Sequence, residues 1–311
     1  MNNLQSNIND YLNYCTSQKR LDAKTLKAYR IDLKQFTNYI SITKPSEITP
    51  TLLEGYISFL HKSFKPKTVK RKLASLKALL HYFEYKDIIE YNPFNKLYIK
   101  FKEPVILPKV IPLSTIERLL SAIYNQQFNG STLNRKHNSI RDAAVCELLF
   151  ATGIRISELC SLHDNDVDLQ NGIIKIYGKG SKERVLQIGN NPALQALTKY
   201  KTEFSDKICA CGYFFVNNNN HPLSDQAVRR MLNKYTKLAD INIHITPHMF
   251  RHTFATCLLD ADVDIRYIQE MLGHSSINVT EIYTHVAIEK QGNILKEKHP
   301  RKSLNVNNYS I

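Results

Sequence analysis

Thr152-Gly153-Ile154-Arg155-Ile156-Ser157-Glu158-Leu159 lies near the middle of the 311-residue chain, and the sequence on either side is best read from it. Residues 139–152 carry a helical pattern, and Gly153 is a natural stop because glycine enters the left-handed conformation without a Cβ penalty. Ile156 to Leu159 resumes helical patterning, so Arg155 stands at a junction between two helices, where its guanidinium can project.

Downstream, residues 173–177 and 184–188 are short apolar-rich runs joined by Gly178-Lys179-Gly180-Ser181, the pattern of a β-hairpin with a glycine-bearing turn. Lys179 occupies its tip. Residues 224–239, 250–260, 265–272 and 278–297 return to helical periodicity. His248, Arg251 and His252 follow Thr246-Pro247 at a helix start, where free amides and the helix dipole favour anions. His274 follows Leu272-Gly273 at a helix end, and Tyr283 comes nine residues later.

Upstream, Ser114-Thr115-Ile116-Glu117 has the capping-box spacing, and the Asn- and Gln-rich stretch 125–138 reads as a loop. Between 91 and 112, Asn92-Pro93, Glu103-Pro104, Leu107-Pro108 and Ile111-Pro112 each disfavour helix at the residue before the proline, which marks a domain boundary. Before it, Leu26, Tyr29, Leu33, Phe36 and Ile40 form one apolar stripe at helical spacing. Val69, Leu73, Leu76, Leu80 and Phe83 form another, after an expected N-cap at Thr68. The fold expected is mostly α with a small β-hairpin, two domains at residues 1–105 and 106–298, and a flexible tail at 299–311.

Lysine and arginine total 42 against 28 acidic residues, a net charge of +14 with a pI near 9.4. Residues 1–105 hold 18 basic and 9 acidic side chains, so the excess is concentrated in the N-terminal third. Such a surface favours a polyanion through counterion release, and nucleic acid is the commonest. Lys70, Arg71, Lys72 and Lys77 fall largely off the apolar stripe of their helix, which lets them meet phosphates while the stripe packs inward. The N-terminus has neither a basic start nor an apolar stretch, and no run reaches the roughly 20 residues that span a bilayer, so a cytoplasmic protein is expected.

Other chemistries fit poorly. The six cysteines are sparse, and Cys209-Ala-Cys211 lacks the second ligand pair of a zinc site. Gly172 to Gly180 misses the phosphate-loop spacing, and Gly180 stands where a magnesium-binding hydroxyl would be needed. Met249 occupies the place of the glutamate in a zinc-protease helix, and no G-x-S-x-G elbow occurs.

Taken together, Thr152 to Leu159, Gly178-Lys179-Gly180, Pro247 to Thr256, Leu272-Gly273-His274 and Ile282-Tyr283-Thr284-His285 resemble the tyrosine recombinase, or phage-type integrase, family, most closely its Xer branch. The likeness spans essentially the whole chain and includes the tail His299-Pro300-Arg301. Phe250 replaces the family's usual Leu, residues 259–262 lack a glycine often found there, and 125–138 looks longer than in typical Xer proteins. The resemblance implies a two-domain clamp: an N-terminal helical, SAM-like core-binding domain and a C-terminal catalytic domain.

It further implies a catalytic set of Arg155, Lys179, His248, Arg251, His274 and the nucleophile Tyr283, with no metal, ATP or other cofactor. The partner implied is double-stranded DNA with inverted-repeat half-sites, held by a homo- or heterotetramer that in some systems needs a partner recombinase or accessory protein. Lys70, Arg71 and Lys77, and Arg229 and Arg230 on a second-domain helix, are the candidate DNA contacts. The chemistry would serve Xer-like resolution or the integration and excision of a mobile element. The competing readings are a non-catalytic DNA-binding regulator, a type IB topoisomerase and a metalloprotein built on Cys209 and Cys211.

Overall fold

The computed structural model describes residues 3–98, 109–130, 132–178 and 183–273. The chain divides into two units, 1–105 and 106–311.

In the first unit, helices α1 (Leu4–Ser17), α2 (Ala23–Tyr39), α3 (Pro50–Ser63) and α4 (Pro66–Tyr85) surround one core. Asn3, Asp22 and Thr49 cap the first three, each side chain accepting a hydrogen bond from a backbone N–H of the first turn. Tyr11, Leu33, Phe36, Leu53, Leu60 and Phe83 are buried where the stripes meet. α4 begins before Thr68: Pro66 occupies the first turn, where its fixed φ suits a helix and its missing N–H costs nothing, so Thr68 is a helical residue rather than the cap. Lys72, grouped by sequence with the phosphate-facing residues, is buried and bonds Asp32 at 3.0 Å. Arg71 also pairs with Asp32, yet it stays exposed, as do Lys70 and Lys77.

The second unit is built on α6 (Leu133–Thr152), in which every residue from Asp142 to Leu149 is buried. α5 (Leu113–Asn129), α8 (Asn191–Glu203) and α11 (Pro247–Asp260) pack around it. Between α6 and α8 lie α7 (Ile156–Cys160) and an antiparallel sheet, β1 (Val167–Asp168), β2 (Ile173–Tyr177) and β3 (Glu183–Gln187). β2 and β3 pair with Ile174 opposite Leu186 and Ile176 opposite Arg184. α9 (Ser205–Cys211), α10 (Asp225–Leu238) and α12 (Ile265–Leu272) complete the described part. Ala255, Ile268 and Leu272 form a small separate core that fastens α12 to α11.

Several expectations change here. Residues 125–138 are almost entirely helical: α5 runs on to Asn129, and α6 starts at Leu133 behind Thr132, whose hydroxyl accepts from the Arg135 N–H at 3.2 Å. Asn and Gln do not break a helix whose other face, at Ile116, Leu119 and Ile123, is buried. α5 itself starts at Leu113 behind Pro112, so Ser114 is its second residue and Glu117 its fifth, and the two form no capping box. β3 begins one residue earlier than its apolar pattern indicates, and α11 three residues earlier, from Pro247. The segment 278–297 lies outside the described residues.

Candidate active site

α6 stops as the sequence indicates. Gly153 takes φ +59°, and its N–H closes the last turn on the Leu149 carbonyl at 3.1 Å. The Thr152 hydroxyl donates to the Leu148 carbonyl at 2.7 Å and accepts the Ile154 N–H at 3.3 Å, which stiffens the exit. Arg155 is therefore delivered as the N-cap residue of α7. Its backbone N–H donates to Glu158 Oε2 at 3.0 Å, so the carboxylate three residues on satisfies an orphan amide of the helix start. Its Nη1 donates to Glu158 Oε1 at 2.7 Å and its Nη2 to the Gly273 carbonyl at 3.1 Å.

Arg251 approaches the same place from α11. Only 4% exposed, it donates from Nη1 to the Gly153 carbonyl at 2.9 Å and from Nη2 to the Leu272 carbonyl at 2.5 Å. Arg155 and Arg251, 96 positions apart in sequence, thus bond consecutive carbonyls at the end of α12. That end is a left-handed turn at Gly273, φ +64°, after which the chain continues to His274. α11 is anchored from behind, where Thr253 Oγ1 accepts the Ile111 N–H at 2.8 Å.

His248 lies three residues before Arg251 on α11 and is exposed. His252 is half-buried, and burial together with the charge of His248 and Arg251 pushes its imidazole down to about 4, so it is neutral at pH 7.

Two residues that build the site, Glu158 and Arg184, are given no role by the sequence motifs. Glu158 is buried, and burial alone would raise its pKa. Hydrogen bonds and charge from Arg184, with hydrogen bonds from the Arg155 backbone and side chain, outweigh that and hold the carboxyl below its ordinary value. Arg184 on β3 grips both Glu158 oxygens and donates from Nε to the Met271 carbonyl at 3.0 Å. The only local signal for Glu158 is its capping-box spacing from Arg155; Arg184 has none, since its partners are remote in sequence.

Arg155, Glu158, Tyr177, Arg184, Phe254 and Gly273 are among the residues lining a cleft of about 1170 Å³. Its wall includes Gly178, the residue before Lys179. Lys179, His274 and Tyr283 lie outside the described residues. Arg229 and Arg230 are exposed on α10. Among the described residues no helix is long and apolar enough to cross a membrane, and no cluster of three potential metal ligands occurs.

A helical first unit, a helical second unit with a small sheet, and two arginines converging on one turn agree with the integrase-type architecture that the sequence resemblance implies. Residues 110–290 match the phage integrase family and residues 8–86 the phage integrase N-terminal SAM-like domain, and the chain belongs to this family, the tyrosine recombinases. A tyrosine recombinase of Agathobacter rectalis is 62% identical over 302 residues, covering 97% of this chain and 99% of that protein. Tyrosine recombinase XerC of Thermodesulfovibrio yellowstonii is 36% identical over 308 residues, covering 96% and 98%. The crystal structure of the XerH site-specific recombinase bound to palindromic difH substrate, a post-cleavage complex, shares the fold with a TM-score of 0.70 at 21% identity, covering 91% of this chain and 82% of that one. Accordingly, the protein is a site-specific recombination enzyme that cleaves and rejoins DNA through a tyrosine.

Proposed function

We propose that Tyr283 is the nucleophile and that Arg155, Lys179, His248, Arg251 and His274 complete the catalytic set around one scissile phosphate. The observation that carries this reading is the convergence of the Arg155 and Arg251 guanidinium groups on the Leu272-Gly273 turn. Each arginine presents forked N–H donors that match the non-bridging oxygens of a phosphate and stabilise the charge of the pentavalent transition state. Losing one such contact slows cleavage on the order of a hundredfold.

The Tyr283 oxygen attacks phosphorus and stays attached, so the energy of the broken P–O bond is retained in a 3′-phosphotyrosyl ester. A phenol with a pKa near 10 is only about 0.1% ionised at neutral pH, so its proton must leave during attack. His248 and His274 assist that transfer and hydrogen-bond the phosphate. Lys179 protonates the departing 5′ oxygen, which would otherwise leave as a strongly basic alkoxide. Attack by a 5′-hydroxyl of another strand reverses the step and joins the new partner; neither metal nor nucleotide enters the balance.

Exchange between two duplexes requires a reacting tyrosine on every strand exchanged, which supports a tetramer on double-stranded DNA with inverted-repeat half-sites. The tetramer is homomeric or shared with a partner recombinase, with or without an accessory protein, and acts in the cytoplasm on resolution or on mobile-element integration and excision. The first unit, residues 1–105, serves as the core-binding domain and residues 106–298 as the catalytic domain, with 299–311 as tail. Lys70, Arg71, Lys77, Arg229 and Arg230, all exposed, contact the DNA.

The test is a nicked suicide substrate carrying the cognate repeat. The wild type should accumulate a covalent adduct, and Tyr283→Phe should bind the same DNA and form none. An undiminished adduct in Tyr283→Phe overturns the assignment, and cleavage independent of the repeat would instead indicate topoisomerase behaviour.

A further inference from the structure

We propose that Arg184 is a positioning residue for strand cleavage, acting through Glu158 to hold Arg155 in place and keep its charge available to the DNA phosphate. Arg184 occupies an inward position of β3, opposite Ile176 and two residues from Leu186, both buried. Its side chain is only 11% exposed. A charge at such a position needs full compensation, and Arg184 finds it in one carboxylate and one carbonyl.

The geometry at Glu158 explains how the effect is transmitted. Arg184 Nη1 meets Oε1 at 3.0 Å and Nη2 meets Oε2 at 2.7 Å, a two-pronged grip that fixes the carboxylate plane. The same two oxygens receive Arg155, Oε1 from its Nη1 and Oε2 from its backbone N–H. Glu158 is thus a shared anvil, held on one side by Arg184 and holding Arg155 on the other.

A buried Glu158 paired with Arg155 alone would form a neutral pair and spend the charge that a phosphate requires. With two guanidinium groups on one carboxylate, the cluster keeps a net +1, and Arg155 is the more exposed of the two arginines. Arg184 is also packed against the turn that both proposed phosphate ligands touch. Its Nε bonds the Met271 carbonyl, and a Cβ added at Gly273 would lie 2.9 Å from its Nη1.

The inference rests on Arg155 being a phosphate ligand, so the experiment separates the two claims. Cleavage rates are measured on the suicide substrate for wild type, Arg155→Ala, Arg184→Met and the double variant. They are then repeated on a substrate whose scissile phosphate is replaced by an uncharged methylphosphonate. Arg155→Ala should be slowed about a hundredfold and Arg184→Met at least tenfold. The double variant should be no slower than Arg155→Ala, because residues acting in series are not additive. On the methylphosphonate, which removes the charge being neutralised, the Arg184→Met defect should shrink to within about threefold of wild type. Arg184→Lys, which keeps the charge without the fork, should fall between Met and wild type.

Full-rate cleavage by Arg155→Ala would remove the underlying reading. If Arg155→Ala is impaired, the inference on Arg184 is overturned by multiplying defects in the double variant, by equal loss on both substrates as simple misfolding would give, or by a normal rate in Arg184→Met. Should Arg184→Met fail to fold by circular dichroism and gel filtration, Arg184→Lys carries the same comparisons.

Discussion

Gly153→Ala is a sharp perturbation because the structure supplies both its cost and its control. Gly153 has φ +59°, and an added Cβ would sit 2.7 Å from Phe254 Cδ1 and 3.0 Å from Leu272 Cδ2. The left-handed backbone alone costs a non-glycine residue about 1 kcal/mol. Forcing a methyl group into the packed contact between α6, α11 and α12 adds about 2 kcal/mol. The sum of about 3 kcal/mol should lower the melting temperature of the second unit by about 9 °C. Gly212 provides the internal reference, with φ +74° but nothing within 4 Å of an added Cβ. Gly212→Ala should cost only the backbone contribution of about 1 kcal/mol.

The same substitution moves the carbonyl that accepts from Arg251 Nη1, so cleavage should fall at least tenfold in Gly153→Ala and stay near wild type in Gly212→Ala. Differential scanning calorimetry and suicide-substrate cleavage measure the two effects. Equal stability losses at the two glycines, or a normal cleavage rate in Gly153→Ala, would refute the claim that this turn is sterically closed and holds Arg251.

Other outcomes follow from individual contacts. Asp32→Ala removes the buried partner of Lys72, itself 5% exposed, and should destabilise the first unit by about 3 kcal/mol in urea unfolding; a loss below about 1 kcal/mol would contradict the pairing. His252 is held neutral down to about pH 4, whereas in the unfolded chain it takes up a proton near its ordinary value of 6.5. Stability of the second unit should therefore fall as pH drops from about 6.5 toward 4, and His252→Gln should flatten that slope; an unchanged slope would show that other groups cause it. Lys179→Ala should cleave a normal substrate poorly and recover on one with a 5′-thiolate leaving group, which needs no proton; failure to recover would remove the general-acid role.

The sequence made legible what depends on local periodicity and local stops. α2 is readable from an unbroken apolar stripe, α12 from helical periodicity over 265–272 that stops at Gly273, and the end of α6 from a glycine that the structure places in the left-handed region. Arg155 and Arg251 stand out in the sequence because each sits in a distinctive motif near a helix start, and the structure brings both to one turn. Tertiary burial overrides composition elsewhere in the chain. In the Asn- and Gln-rich stretch, residues 125–129 extend α5 and 133–138 open α6 because these two helices pack on each other, and Lys72 is inside because Asp32 waits for it. β1, only two residues long, leaves no periodic trace and exists through pairing with β2. Glu158 and Arg184 meet across 26 positions, a contact that no local pattern records.

The most direct measurement is to trap the covalent complex on a suicide oligonucleotide, digest it with nuclease and protease, and locate the nucleotide-bearing peptide by mass spectrometry. The account predicts a single modified tyrosine among the 17 in the chain, at Tyr283. A nucleotide on any other residue, or a cut strand with no protein attached, would contradict it.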